Sequence, residues 1–137
     1  MKIMLEPGAK MPTRGHTDDA GLDLYTREEV TIEPWGSAVF DTGVHMAFPR
    51  GTYGKIESKS GLNVKYSVVS LGGVIDSGFR GSITVKLYKL GKEPYTFLKG
   101  DKIAQIVVRH CEYPALILVD ELEETERGNG AFGSTGR

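Results

Sequence analysis

Short apolar runs recur along most of the chain, and glycine or proline separates each run from the next. In several runs apolar and polar side chains alternate, as in Ile83–Tyr88, which is the period of a strand with one buried face. The pattern predicts strands at Lys2–Leu5, Leu22–Tyr25, Val30–Ile32, Ala38–Asp41, Val44–Ala47, Tyr53–Ser58, Ser67–Ser70, Ile83–Lys89, Tyr95–Leu98, Ile103–Arg109 and Leu116–Leu118.

Only one segment has the character of a helix. Ser60–Tyr66 contains no proline, and a serine at its start predicts a short helix with Ser60 as the N-cap. Many short strands joined by turns are typical of a β-sandwich or a β-barrel. The pattern therefore predicts an all-β fold with one short helix.

The composition favours a small domain that associates with other copies. The chain has 137 residues, the length of one domain, and only 39% of them are hydrophobic, on the low side for a globular protein. A net charge of −1 and the absence of a basic run give no electrostatic indication of nucleic-acid binding. No apolar window approaches the length of a membrane span, so we expect no membrane partner.

The sequence gives two indications of location. A single cysteine, Cys111, excludes an internal disulfide, which favours a reducing compartment. The segment Met1–Lys10 lacks the long apolar stretch of a signal peptide. Both observations predict a cytoplasmic protein.

The end of the chain has the composition of a phosphate-binding lid. Residues Arg127–Arg137 combine four glycines with Phe132, Ser134 and Thr135. Glycine lets the backbone approach an anion closely, and successive N–H groups with hydroxyls form a concave anion site. Arg127 offers a bidentate fork for phosphate. A disordered tail is the ordinary alternative for a glycine-rich terminus. The acidic run Asp120–Glu126 before it is a solvated segment that would tether the lid.

Asp76 lies in the glycine-rich stretch Gly72–Gly81 between apolar segments. A carboxylate at the mouth of a strand end can accept a proton from water as a general base. The alternative is a turn aspartate that bonds its own backbone. Three other stretches are weaker indications, each with a purely structural alternative: Lys59–Leu62 at the helix start, Gln105 in an apolar strand, and Asp23 beside two leucines.

Taken together and in order, these stretches resemble the five motifs of the homotrimeric dUTPases of bacterial or phage type. The motifs correspond to Ala20–Thr26, Lys59–Asn63, Gly72–Gly81, Gly100–Val107 and Arg127–Gly136. The closing Arg-Gly-x-Gly-x-Phe-Gly-Ser-Thr-Gly is the most specific of them, and a five-part ordered match is far harder to meet by chance than one motif.

The resemblance implies a β-clip-like jelly-roll barrel that forms a homotrimer with exchanged C-terminal arms. Residues 1–119 would form the jelly roll, and residues 120–137 would form the tether and lid of the same domain. The implied reaction is hydrolysis of dUTP to dUMP and pyrophosphate, which keeps uracil out of DNA and supplies dUMP for thymidylate synthesis. Mg²⁺ would be held by the substrate triphosphate, without direct protein ligands, and Asp23 would orient metal-bound waters.

The resemblance also implies roles for individual residues. Asp76 would deprotonate the water that attacks the α-phosphorus, Phe79 would pack against the deoxyribose, and Phe132 of another subunit would stack over uracil. The implied substrate contacts are at Lys59, Ser60, Gly61, Ser70, Gly73, Val74, Ile75, Phe79, Gln105, Arg127, Phe132, Gly133, Ser134 and Thr135.

Six positions depart from the usual pattern of the family, two of them being Ser58 for a proline and Asn63 for an alanine. Lys59 stands where arginine is usual and lacks its bidentate fork. Phe79 stands for tyrosine, Ser70 for an asparagine that helps to read uracil in many bacterial members, and Ala131 for a glycine of the tail. These departures bear on phosphate affinity, uracil selectivity and lid closure.

Two other functions are compatible with parts of this pattern. A dCTP deaminase would share the fold, but it would need a glutamate in the strand after the third motif, where this chain has Lys86, and it would lack the tail. A nucleotide-binding regulator would use the same pocket to sense dUTP and contact a protein. The chain has no obvious insertion between its motifs for such a partner.

Overall fold

The computed structural model describes residues 1–131. In chain order the elements are β1 (Lys2–Leu5), β2 (Gly21–Tyr25), β3 (Val30–Ile32), β4 (Ser37–Asp41), β5 (Val44–Ala47), β6 (Thr52–Glu57), α1 (Ser60–Tyr66), β7 (Val68–Ser70), β8 (Val74–Ile75), β9 (Thr84–Lys89), β10 (Tyr95–Phe97) and β11 (Lys102–His110). The predicted all-β fold with one short helix is confirmed.

The longest strand, β11, lies between β2 and β6, and β8 extends this sheet in the order β2-β11-β6-β8. A second sheet has the order β4-β9-β7, and the pairs β1-β5 and β10-β3 form two-stranded ribbons. Every pairing is antiparallel. The four-stranded sheet positions most of the predicted site residues. Asp23 is the middle residue of β2, Lys59 comes two residues after the end of β6, and Asp76 follows β8 directly.

The inward faces of these strands share one core. On β9 the alternation is regular, with Val85 and Leu87 buried and Thr84 and Lys86 exposed. Phe40 and Phe97 meet edge to face in this core with ring centroids 5.2 Å apart, a favoured aromatic geometry. The other fully buried side chains include Leu24, Ile32, Val44, Val68, Ile83, Ile103 and Ile106.

Three details of the sequence prediction are wrong. Ser60 is the first helical residue and not the N-cap, which is Lys59 in an extended conformation without a side-chain cap bond. The two-residue strand β8 was not predicted, because so short a strand leaves no periodicity to detect. The predicted strand at Leu116–Leu118 does not form within residues 1–131.

The failed strand prediction has a physical cause. A strand needs a hydrogen-bonding neighbour, and Leu116 and Leu118 are 96% and 99% exposed in the single chain. An apolar segment so fully exposed needs a partner surface. Within residues 1–131, no helix is long and apolar enough to traverse a lipid bilayer.

Candidate active site

Asp76 follows β8 directly and is solvent-exposed. Strand β8 pairs with β6 through Gly54↔Ile75 and Lys55↔Val74, and the Ile56 amide donates to the Gly73 carbonyl at 2.8 Å. Gly73 has a φ of +108°, and a Cβ there would lie 2.6 Å from the Ile56 Cβ. Only glycine can adopt this positive φ and also approach Ile56 so closely without strain. Gly73 therefore allows the segment that leads to Asp76 to pack against β6.

Beyond Asp76 the chain turns at once. The Phe79 amide donates to the Asp76 carbonyl at 3.0 Å, and the Phe79 ring is 43% exposed. The Arg80 guanidinium donates to the carbonyls of Ser77 and Phe79, both at 2.7 Å. These bonds join Asp76–Arg80 into one compact loop, which presents a carboxylate and an aromatic face to solvent.

A surface cavity of about 450 Å³ lies beside this loop. Its walls combine the Asp76 carboxylate with the apolar Val74 and with Tyr53 and Tyr113, and the other lining residues are Ser77, Cys111 and Glu112. A cleft that combines apolar and aromatic walls with acidic side chains has the character of a small-molecule site.

A second group of site residues surrounds Asp23, which is 5% exposed. Its two carboxylate oxygens accept from the Lys59 Nζ at 2.5 Å and the Lys102 Nζ at 2.6 Å. Burial raises the pKa of Asp23, but the bonds and charges of Lys102 and Lys59 outweigh burial and hold the pKa below its usual value. Asp23 therefore fixes two ammonium groups at the beginning of α1.

Gln105 belongs to the same group. It faces Asp23 across β2 and β11, and its side-chain amide donates to the Ser58 carbonyl at 3.2 Å. A Cβ on Gly21 would overlap the Gln105 Oε1 at 2.0 Å, so the side chain lies over this glycine. Ser60 and Gly61 are exposed at the start of α1, beside the Lys59 ammonium.

Ser70 connects to this group from β7. Its amide donates to the Ser58 Oγ at 2.9 Å, and the two hydroxyls are 3.2 Å apart. Arg127 is exposed and donates from its Nε to the Gly130 carbonyl at 3.0 Å. The predicted contacts at Phe132, Gly133, Ser134 and Thr135 lie outside the described residues.

Within one chain the predicted residues thus form two separate groups. Lys59, Gln105 and Ser70 meet around Asp23 and Ser58, whereas Asp76 and Val74 line the cavity. None of the described residues that line the cavity belongs to the first group. In a single chain the predicted base therefore lies beside the cavity, and Lys59 and Gln105 lie around Asp23 and Ser58.

Sequence reasoning missed the contributions of Lys102 and Ser58. Lys102 reaches Asp23 because a register irregularity between Lys102 and Ala104 interrupts the alternation of β11, and a bulge of this kind is not visible in the sequence pattern. Ser58 acts through its carbonyl and hydroxyl, which connect Gln105 to Ser70.

The next question is whether side chains of this protein could hold a metal ion directly. Residues 1–131 contain no group of three or more His, Cys, Asp or Glu side chains arranged to hold a metal ion. Both oxygens of Asp23 are engaged by lysines.

The protein is thus an antiparallel all-β domain. It carries an exposed carboxylate on one loop and two ammonium groups at the beginning of α1, and ammonium groups are phosphate-binding groups. The dUTPase family model matches residues 8–136. The chain belongs to the dUTPase family, and the predicted jelly-roll fold is confirmed.

Individual relatives agree with this assignment. The deoxyuridine 5'-triphosphate nucleotidohydrolase of Mus musculus is 42% identical over 135 residues, 98% of this chain and 83% of that protein. Staphylococcus bacteriophage 80alpha dUTPase with dUpNHpp has a TM-score of 0.88 at 33% identity, over 99% of this chain and 98% of that chain. A mutant dUTPase from phage phi11 of S. aureus, whose structure describes the coordination of a structural Mg(II) ion, has a TM-score of 0.83 at 29% identity, over 90% of this chain and 98% of that chain.

Proposed function

We propose that this protein hydrolyses dUTP to dUMP and pyrophosphate at sites shared between three copies of the chain. The observation that carries the proposal is the family match over residues 8–136, which includes all five motifs. The mouse relative is named for the same reaction, and the phage 80alpha relative binds dUpNHpp.

Asp76 is the general base of this reaction. A water oxygen attacks the α-phosphorus and forms the new P–O bond, and the water proton passes to the Asp76 carboxylate. The bond from the α-phosphorus to the α–β bridging oxygen breaks, and that oxygen leaves with pyrophosphate. The exposed carboxylate beside a cavity of about 450 Å³ supports this role.

Lys59, Ser60, Gly61 and Gln105 hold the phosphate oxygens. Phosphate transfer depends mainly on positioning and on neutralising charge. The Asp23–Lys59 bond supports this role, because it fixes one ammonium group next to the two exposed residues of the helix start. Lys102 adds a second positive charge to the same place.

The nucleoside lies against the Gly72–Phe79 stretch. Backbone groups of Gly73, Val74 and Ile75 read the uracil edge, and Phe79 packs on the deoxyribose where a ribose 2′-hydroxyl would have no room. The exposed Phe79 ring supports this arrangement. Ser70 lies next to Ser58 in this chain, so its part in reading uracil is indirect.

The third contribution comes from a neighbouring copy. Arg127, Gly133, Ser134 and Thr135 of its C-terminal arm close on the γ-phosphate, and Phe132 stacks over uracil. The exposed apolar segment Leu116–Leu118, which precedes the arm in the sequence, supports association of copies. An apolar segment so exposed needs a surface that covers it. The division into a jelly roll (1–119) and a tether with lid (120–137) belongs to the same proposal.

Mg²⁺ is the proposed cofactor and binds through the substrate triphosphate. When bound, it neutralises phosphate charge and orients the leaving pyrophosphate. Asp23, which would orient metal-bound waters, lies beside the phosphate donors, and its two oxygens also bind Lys59 and Lys102. The single cysteine supports a cytoplasmic location.

The direct test is pyrophosphate release with Mg²⁺ from dUTP, dCTP, dTTP and UTP at equal concentrations. We expect release from dUTP with strong preference over the other three. Ammonia release from dCTP would instead identify a deaminase, and tight dUTP binding without pyrophosphate release would identify a regulator.

A further inference from the structure

His45 on β5 connects the Asp76 loop to the rest of the fold. Its Nδ1 lies 2.8 Å from the carbonyl oxygen of Arg80, the last residue of that loop. Its Nε2 lies 3.0 Å from the Glu6 Oε1, just beyond β1. The side chain of His45 is only 16% exposed, so protein groups determine where the ring points.

Both neighbours of the ring are hydrogen-bond acceptors. A carbonyl oxygen and an ionised carboxylate cannot donate, and a neutral imidazole carries only one N–H. Two bonds to two acceptors therefore require the imidazolium form, in which both ring nitrogens donate. In the neutral form one of the two contacts faces a lone pair and is lost.

Further charged groups continue this contact chain. The other Glu6 oxygen accepts from Arg27 Nη1 at 2.8 Å, and Arg27 also pairs with Asp41. Asp41 in turn accepts from the Ser82 hydroxyl. The segment that follows Asp76 is thus bound at two residues. His45 contacts the Arg80 carbonyl, and Asp41 accepts from the Ser82 hydroxyl.

The charges that face His45 come from several elements. Glu6 and Asp41 are negative, whereas Arg27, the Arg80 guanidinium and Lys2 of β1 are positive. The Arg80 carbonyl and the Glu6 carboxylate raise the pKa of His45 above its ordinary value, with a smaller contribution from the Asp41 charge. These contacts outweigh burial, which lowers the pKa of His45.

We propose that protonated His45 is a positioning residue that fixes the Asp76–Arg80 loop in its reactive geometry, so that turnover depends on its protonation. Two hydrogen bonds join the loop internally, one from the Phe79 amide to the Asp76 carbonyl and one from the Arg80 guanidinium to the Ser77 carbonyl. A bond that fixes the Arg80 carbonyl therefore also restricts the positions of Asp76 and Phe79. The proposal rests on the proposed function, because it assigns Asp76 as the base.

The test compares kcat and KM for dUTP between pH 5.5 and 9 for the wild type, His45→Gln and Glu6→Gln. The wild-type kcat should fall as pH rises through the His45 pKa. His45→Gln should show a kcat lower by a factor on the order of ten and no such step, with a smaller change in KM. His16→Gln is the matched control, because the His16 side chain is 89% exposed and, among residues 1–131, its only ion-pair partner is the nearby Asp19.

An independent readout is the NMR titration of the His45 ring together with the backbone amides of Gly78–Arg80. These amides should shift with the His45 titration in the wild type. In Glu6→Gln the His45 pKa and the kinetic step should move to lower pH together, since the carboxylate that favours the imidazolium is gone. This variant keeps the histidine, so it tests the proposal even if His45→Gln folds poorly.

Identical pH profiles for the wild type and His45→Gln, or amides of the loop that do not follow the His45 titration, would overturn the proposal. A wild type that fails to hydrolyse dUTP would overturn the proposed function instead. The NMR coupling would still decide whether His45 holds the loop.

Discussion

Asp76 is the general base of the proposed mechanism and contributes little to the stability of the fold. It is exposed, and the only hydrogen bond that residues 1–131 make to it uses its backbone carbonyl. Asp23 is its opposite, because it is buried and both of its oxygens are bound by lysines. Substitution should therefore separate catalysis from stability at these two aspartates.

Asp76→Asn should keep the fold and substrate binding and lower kcat for dUTP on the order of 10²–10⁴-fold, the range for loss of a positioned base. Steady-state pyrophosphate release and dUTP binding measure the two effects separately. Asp18→Asn is a matched control, because Asp18 is exposed. Wild-type turnover in Asp76→Asn would remove Asp76 from the mechanism.

Asp23→Asn should destabilise the protein at pH 7 by about 1–3 kcal/mol, because two lysines lose their shared partner. The folded pKa of Asp23 is lowered, so its stabilising contribution is present above the unfolded pKa of about 3.9 and is lost as pH falls through the folded pKa. Urea unfolding at pH 7 and near pH 3 should show a large difference from the wild type at the first pH and a small one at the second. Equal differences at both would contradict the ion-pair account.

At the scale of elements, strand β8 determines where the base lies. It has only two residues and depends on Gly73, whose positive φ and close contact with Ile56 allow it to pair with β6. Gly72 also has a positive φ of +92°, but a Cβ there would meet nothing within 4 Å. Substitutions of the two glycines can therefore be compared directly, because both residues have a positive φ and only Gly73 has a close neighbour.

Gly73→Ala should lower the free energy of unfolding by about 1–3 kcal/mol more than Gly72→Ala, because it adds a steric clash to the same backbone strain. It should also lower turnover of dUTP more, since the clash displaces the strand that leads to Asp76. Denaturant unfolding and kcat measured on both variants check this. Equal effects of the two substitutions would show that the contact with Ile56 is unimportant.

The elements also show what could be predicted from sequence. The alternation of apolar and polar residues was sufficient to predict β9, because one face of that strand is buried. Strand β8 and the irregularity that brings Lys102 to Asp23 were missed, since both depend on pairing partners distant in sequence. The apolar segment Leu116–Leu118 has strand-like composition but lacks a neighbour in the single chain. The motifs predict site roles for Asp76 and Gln105, whereas the hydrogen-bond partner of Gln105, the Ser58 carbonyl, is known only from the fold.

At the scale of the whole molecule, the chain separates groups that one reaction needs together. The phosphate donors cluster around Asp23, and Asp76 lines a different cavity. The proposed assembly of three copies would resolve this separation, and the exposed apolar segment before the acidic tether favours it.

A chain stopped after Glu126 should remain a folded trimer with little activity, because residues 127–131, the described part of the removed arm, lie outside the hydrophobic core. Light scattering, thermal unfolding and pyrophosphate release measure these three properties. Substitution of Ala131 by glycine in the full chain serves as a mild change in the same arm. Unfolding or dissociation of the shortened chain would contradict a role limited to the lid.

The most direct measurement of the shared site mixes two variants that should each be inactive, Asp76→Asn and the chain stopped after Glu126, and then assays dUTP hydrolysis. If the base and the arm come from different copies, random mixing into trimers should restore about one quarter of the sites. Mass spectrometry of the intact assembly confirms that mixed trimers have formed. Recovery of pyrophosphate release toward that fraction is the predicted result, and mixed trimers without activity would contradict the account.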